Sequence, residues 1–171
     1  QLVVESDGRV IGAMVDSPSG RKYLRARRGV ILACGGFIHN RQMLVQHAPH
    51  LARCSVPWGG AGDQGDGINM GIAVGAASLR MDEGFAVAPI YPPENTISGI
   101  LVNASGQRFI SEDSYHAVIG HRIAYEQQGT AWLITDEGST YQGVQDNFPL
   151  AAQSSSIGGL AEQLSLPRGA L

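Results

Sequence analysis

Cysteine is nearly absent from this sequence: Cys34 and Cys54 are the only two in 171 residues, with no CxxC and no histidine pair at zinc spacing. Neither a disulfide scaffold nor a structural metal site is therefore expected. Charge is sparse at 16%, and its 12 basic and 15 acidic residues leave no basic field to attract a phosphate backbone. Nucleic acid is accordingly not an expected partner. No apolar run approaches the roughly 20 residues of a membrane span, and no signal peptide opens the chain, so a cytoplasmic protein is expected. The GxSxG nucleophile elbow is missing, which leaves hydrolase chemistry without a foothold. Hydrophobic residues at 43% are enough for a core, and glycine, at 23 residues, is the composition's excess. Such an excess without a repeat points to places where bare backbone is needed. The chain opens at Gln1 rather than a methionine and stops at Leu171 inside a segment that reads as structured, as expected of a piece of a longer polypeptide.

The order of patterns predicts an α/β chain with α+β elements. Residues 2–5, 10–16 and 22–26 are strand-like and separated by Asp7-Gly8 and Ser17-Pro18-Ser19-Gly20, which predicts a three-stranded meander. Residues 29–34 are continuously apolar and end at Gly35-Gly36, the pattern of a parallel strand buried on both faces. Asn40 is placed to cap a short helix carrying Met43, Leu44 and His47 and closed by Pro49. Gly65-Asp66-Gly67 opens a second helix with Ile68, Ile72 and Ala76 on one face, where Gly71 and Gly75 suggest close packing. A proline-rich stretch within 81–98 reads as a crossover. Beyond it come a hairpin of 99–103 with 108–110, a helix from about Ser114 carrying Tyr115, Ile119 and Ile123, and a strand at 131–135. The tail reads as two short helices, one capped by Ser156 and one beginning at Pro167. Domain bounds follow as 1–80, a crossover at 81–98, and 99–171.

Three places carry possible chemistry. Gly35-Gly36 after the apolar run is either a tight strand exit or a spot where a ligand meets bare amides. Asp66 at a helix start either caps its own helix or accepts from a ligand hydroxyl. Neither motif is the GxGxxG fingerprint of dinucleotide-binding units, which the chain is expected to lack. Residues 111–116, Ser-Glu-Asp-Ser-Tyr-His, offer a carboxylate, a phenol and an imidazole for proton chemistry, or simply cap a helix through Ser111 or Asp113. His39, His47, His50 and His121 read as surface or packing residues, and Trp58 and Trp132 as core.

Taken in order, the meander, Arg27-Arg28-Gly-Val-Ile-Leu-Ala-Cys-Gly-Gly-Phe37, Gly65-Asp-Gly-Ile68 and Gly99-Ile-Leu-Val-Asn-Ala-Ser-Gly-Gln-Arg-Phe-Ile-Ser-Glu112 resemble the FAD-dependent fumarate reductase and succinate dehydrogenase flavoproteins. The phrases from Asn40 through His47-Ala48-Pro49 and Ser111-Glu-Asp-Ser-Tyr115 are most similar to the branch of 3-ketosteroid dehydrogenases. The resemblance implies FAD as cofactor, with Ala33, Gly35, Gly36 and Asp66 as flavin neighbours. It implies Tyr115 and His116 as catalytic candidates in a capping, substrate-side domain, no metal, and a 3-ketosteroid or similar ketone as substrate. A dicarboxylate oxidoreductase and a catalytically silent fragment are the alternatives. The family's amino-terminal Rossmann loop and its carboxyl-terminal segment have no counterpart in the chain, so weak FAD binding by this piece alone is expected.

Overall fold

The computed structural model describes residues 1–88, 98–138 and 150–171, which fall into two compact units. The first comprises Gln1–Ala48 and Pro57–Glu83, the second Pro49–Val56 and Gly84–Leu171. Residues 89–97 of the expected crossover lie outside the described residues.

The first unit begins with the expected meander: β1 (Leu2–Val4), β2 (Val10–Ser17) and β3 (Gly20–Arg25) are antiparallel in the order β1-β2-β3. Ser17 pairs with Gly20 at the tip, where Gly20 takes φ +102, a conformation that favours glycine. Every residue of β3 is exposed, and Arg21, Lys22 and Arg25 charge this edge strand, which discourages pairing with other chains. The parallel strand expected over 29–34 is not formed. No described strand lies beside the segment, both sheets being antiparallel, and Ile31 is 92% exposed. A run patterned for burial on two faces stays unpaired when neither edge has a partner.

Helix α1 (Arg41–His47) is capped as expected, the Asn40 side-chain oxygen accepting from Met43 N at 3.1 Å, with Met43 and Leu44 buried. Helix α2 (Asp66–Ala73) ends at Gly75, whose φ of +89 lets Ala76 N donate to Gly71 O at 3.0 Å. That is a left-handed C-terminal cap, so Gly75 serves chain reversal rather than the expected close packing. Gly71 has only ordinary contacts, and the crowded glycine is Gly67, where an added Cβ would strike Cys34 Sγ. Trp58, expected in the core, is 68% exposed in a loop whose neighbours Gly59, Gly60 and Gly62 offer it no side chain to pack against.

In the second unit β4 (Gly99–Val102) pairs antiparallel with β5 (Trp132–Thr135), Leu101 opposite Leu133. The expected hairpin survives as a single Val102–Arg108 bridge around a turn with Gly106 at φ +74, and Leu101 N donates to the Glu112 carboxylate instead of to a paired strand. Helix α3 (His116–Glu126) packs Ile119, fully buried, against Leu101 and Ala88, with Phe109, Ile123 and Leu133 around them. Trp132 is half-buried in β5. Helix α4 (Ile157–Gln163) is capped as expected by Ser156, whose hydroxyl accepts from Gly159 N at 3.1 Å. The helix expected at Pro167 is one turn only, closed by Ala170 N on Pro167 O and stopped by Gly169 at φ +76.

Candidate functional site

The structure brings the two glycine motifs together within the first unit. Gly36 O accepts from Gly65 N at 2.8 Å, and the Asn40 side-chain amide donates to Gln64 O at 2.8 Å. Gly35 sits at φ +82, and a Cβ there would collide with the Asp63 carboxylate, so this glycine is needed by the turn itself. Gly36 is different: an added Cβ would find nothing within 4 Å, and the position faces open space. Ala33, Gly35, Gly36 and Asp66 are all exposed. Asp66 does not cap α2; Gly65, at φ +85, occupies the cap position without a side-chain bond. An open groove of about 340 Å³ adjoins the motifs, floored by Gly35, Gly67 and Gly71 and walled by Leu32, Ile68 and Ile72.

Residues 60–65, Gly-Ala-Gly-Asp-Gln-Gly, do spell GxGxxG, contrary to its expected lack. No strand leads into them, and the loop closes on itself. The Asp63 carboxylate accepts from Gly60 N at 2.9 Å, and the amides of Asp63 and Gln64 donate to the carbonyls of Gly60 and Gly62 at 2.8 Å. Amides used in this way are not free to cradle a pyrophosphate, so the match is one of letters. Asp63 was not among the expected site residues, although an acid inside a glycine cluster is a turn signal.

Tyr115 and His116 lie in the second unit. Tyr115 occupies the cap position of α3 with φ −55 and ψ 130, and its carbonyl accepts from Val118 N and Ile119 N at 2.8 and 3.1 Å. Its ring is 63% exposed and lies 4.4 Å from the His116 ring, tilted by 58°. Neither Ser111 nor Asp113 caps the helix, which has no side-chain cap at all; Ser111 instead closes a turn by accepting from Ser114 N at 3.1 Å. The capping account of this cluster therefore fails. The other histidines are less scattered than the sequence suggests. His50 and His121 both stack on Tyr125, at 5.3 and 4.4 Å, and the Tyr125 hydroxyl accepts from Gly84 N at 3.0 Å.

Glu112 has turned inward. It is 7% exposed, and its carboxylate accepts from Leu101 N at 2.8 Å and from Arg108 Nε and Nη2 at 3.0 and 2.6 Å. Burial pushes the Glu112 carboxyl up, but the Arg108 guanidinium and the backbone N–H of Leu101 outweigh it and hold the group below its ordinary 4.5. A carboxyl with a depressed native value stabilises the fold fully above its unfolded value and loses that contribution as pH falls through the native one. Acid titration of the chain below pH 4.5 is therefore expected to unfold the parent more steeply than Glu112→Gln. Denaturant melts at pH 6 and at pH 3.5 measure this, and equal acid sensitivity would show that Glu112 is not the group responsible.

Among the described residues no cluster suits a metal ion, and no helix is long and apolar enough to cross a membrane. Residues 1–161 match the family described as FAD binding domain. The chain is 37% identical over 134 residues to 3-oxosteroid 1-dehydrogenase of Mycobacterium tuberculosis, covering 67% of this chain and 23% of that protein. It is similar, with TM-score 0.76 and 33% identity, to 3-ketosteroid-Δ4-(5α)-dehydrogenase of Rhodococcus jostii RHA1, solved in complex with 4-androstene-3,17-dione; 99% of this chain and 36% of that one are covered. A flavocytochrome c3 fumarate reductase in its open conformation shares the fold, with TM-score 0.56, 22% identity and coverage of 97% of this chain and 31% of that one. The chain thus spans about a quarter of the length of the curated relatives it matches. Matched over residues 1–161 of 171, the chain belongs to the FAD binding domain family, whose cofactor is FAD.

Proposed function

We propose that this chain is the middle portion of an FAD-dependent oxidoreductase that dehydrogenates or reduces a carbon–carbon bond beside a ketone, with a 3-ketosteroid as substrate, working in the cytoplasm. Residues 1–80 would belong to the FAD-binding part, 81–98 to the crossover, and 99–171 to the substrate-side cap. The observation that carries the reading is the exposed phenol of Tyr115 at the first turn of α3, in a chain whose fold follows a ketosteroid dehydrogenase along 99% of its length.

The residues of the first unit fit part of the cofactor. Gly36 opens on empty space, Ala33 is exposed beside it, and the glycine-floored groove has apolar walls suited to a flat ring. Asp66, exposed at the start of α2, would accept from a ligand hydroxyl. Gly35 holds the turn that presents Gly36. When bound, FAD supplies a hydride acceptor or donor for the carbon–carbon bond.

The work of the second unit is on protons. Donation from the Tyr115 hydroxyl to a ketone oxygen polarises the carbonyl and acidifies the neighbouring C–H; as phenolate, the same oxygen would take that proton. His116, whose ring centroid lies 4.4 Å from that of Tyr115, would exchange that proton with solvent. The complete flavoprotein, given 4-androstene-3,17-dione and an artificial electron acceptor, is expected to reduce the acceptor, and to leave fumarate untouched when supplied with a reduced dye. Turnover of fumarate with an inert steroid would replace this function by the dicarboxylate alternative.

A further inference from the structure

Glu112 is the one buried charged residue among the described residues, which calls for a reason. A carboxylate taken out of water is costly unless fully paired, and an apolar residue of similar size often stabilises a fold as well or better. What a paired carboxylate adds is direction, because the planar guanidinium fork and a backbone N–H donate to it in one geometry only. Here the two partners come from separate places. Leu101 N lies in the middle of β4, and Arg108 lies just beyond the turn that bridges back to Val102.

Three residues after Glu112 comes Tyr115. The intervening turn is closed by Ser114 N on Ser111 O at 3.1 Å, and the Tyr115 carbonyl is built into the first turn of α3. That helix is in turn fixed to the same core as β4 through Ile119, Leu101 and Ala88. The exposed phenol is thus mounted on a short span held at both ends, by the Glu112 carboxylate before it and by the buried face of α3 after it. We propose that Glu112 is a positioning residue for Tyr115, its carboxylate clamped by Leu101 and Arg108 so that the span 112–115 presents the phenol in one orientation. The inference rests on the catalytic role given to Tyr115 above.

Glu112→Gln conserves volume and one acceptor for Leu101 N–H but loses the charge and the two-oxygen fit to Arg108. In the complete flavoprotein it is expected to lower kcat for a 3-ketosteroid by about tenfold or more with KM nearly unchanged, the signature of a misplaced group rather than lost binding. In the Tyr115→Phe background the same change should cost nothing further, since the clamp acts through the hydroxyl. Arg108→Gln, at an exposed side chain, should reproduce both results and guards against misfolding of the first variant. Independently of activity, hydrogen exchange of amides 113–118 in the 171-residue chain should quicken by about tenfold in Glu112→Gln while β1–β3 is unchanged. A kcat loss that adds fully to that of Tyr115→Phe, or unaltered exchange at 113–118, would overturn the proposal. If Tyr115→Phe keeps full turnover while exchange at 113–118 quickens, the positioning stands and the catalytic role of Tyr115 falls.

Discussion

Replacing Tyr115 by phenylalanine in the complete flavoprotein is expected to lower turnover of a 3-ketosteroid by about 100- to 1000-fold, the usual cost of losing one preorganised donor at a developing charge. The ring stays and only the hydroxyl goes. Because that ring is 63% exposed and the residue's fixed bonds run through its carbonyl to Val118 and Ile119, thermal stability should remain near the parent's. The flavin spectrum should also be unchanged, since none of the candidate flavin neighbours Ala33, Gly35, Gly36 and Asp66 is altered. Steady-state kinetics with the steroid, a melting curve and an absorption spectrum on one preparation separate the possibilities. Turnover within a few-fold of the parent would remove Tyr115 from the chemistry, and a fall in melting temperature with turnover retained would make its hydroxyl a structural group.

Gly120→Ala should be the most damaging small change in the second unit. Gly120 is buried in α3, and an added Cβ would lie against the backbone of Val87 and Ala88, 2.5 Å from Ala88 N. Backbone cannot rotate aside as a side chain does, so helix and segment must separate, stretching the bond from Ala88 N to His116 O, now 3.0 Å. Alanine gains about 1 kcal/mol over glycine in a helix interior, but overpacking costs about 1 to 3 kcal/mol and the lost contacts add to it. A net destabilisation of about 1 to 3 kcal/mol is expected from urea melts. Gly158→Ala in α4 is the control: a Cβ there meets nothing within 4 Å, and stability should rise slightly. Equal behaviour of the two variants would show that the approach of α3 to residues 87–88 is not tight.

The features legible in the sequence are those whose physics is local. The Asn40 and Ser156 caps and the turns of the meander depend on residues a few positions apart, and each is where its side chain requires it. The pairing of β4 with β5 is different, because the two strands lie far apart in the sequence and meet through a shared core of Leu101, Ile119 and Leu133. Glu112 was legible as a polar group among polar neighbours, yet its burial is decided by Leu101 and Arg108, which sequence spacing does not place. At the glycines the residue type was readable and the reason was not. Gly75 and Gly35 serve positive φ, whereas Gly67 yields room to Cys34 and Gly36 faces open space.

The unpaired segment 29–34 also governs how the chain behaves in solution. Val30-Ile31-Leu32 is β-prone and uncharged, and Ile31 is almost fully exposed, the composition that templates edge-to-edge self-association. It is bracketed by Arg27-Arg28 before and Gly35-Gly36 after. Charges and glycines in those positions act as gatekeepers, repelling a second copy at one end and denying strand propagation at the other. Self-association through this stretch is thus governed by the residues that flank it rather than by the chain's small net charge of −3.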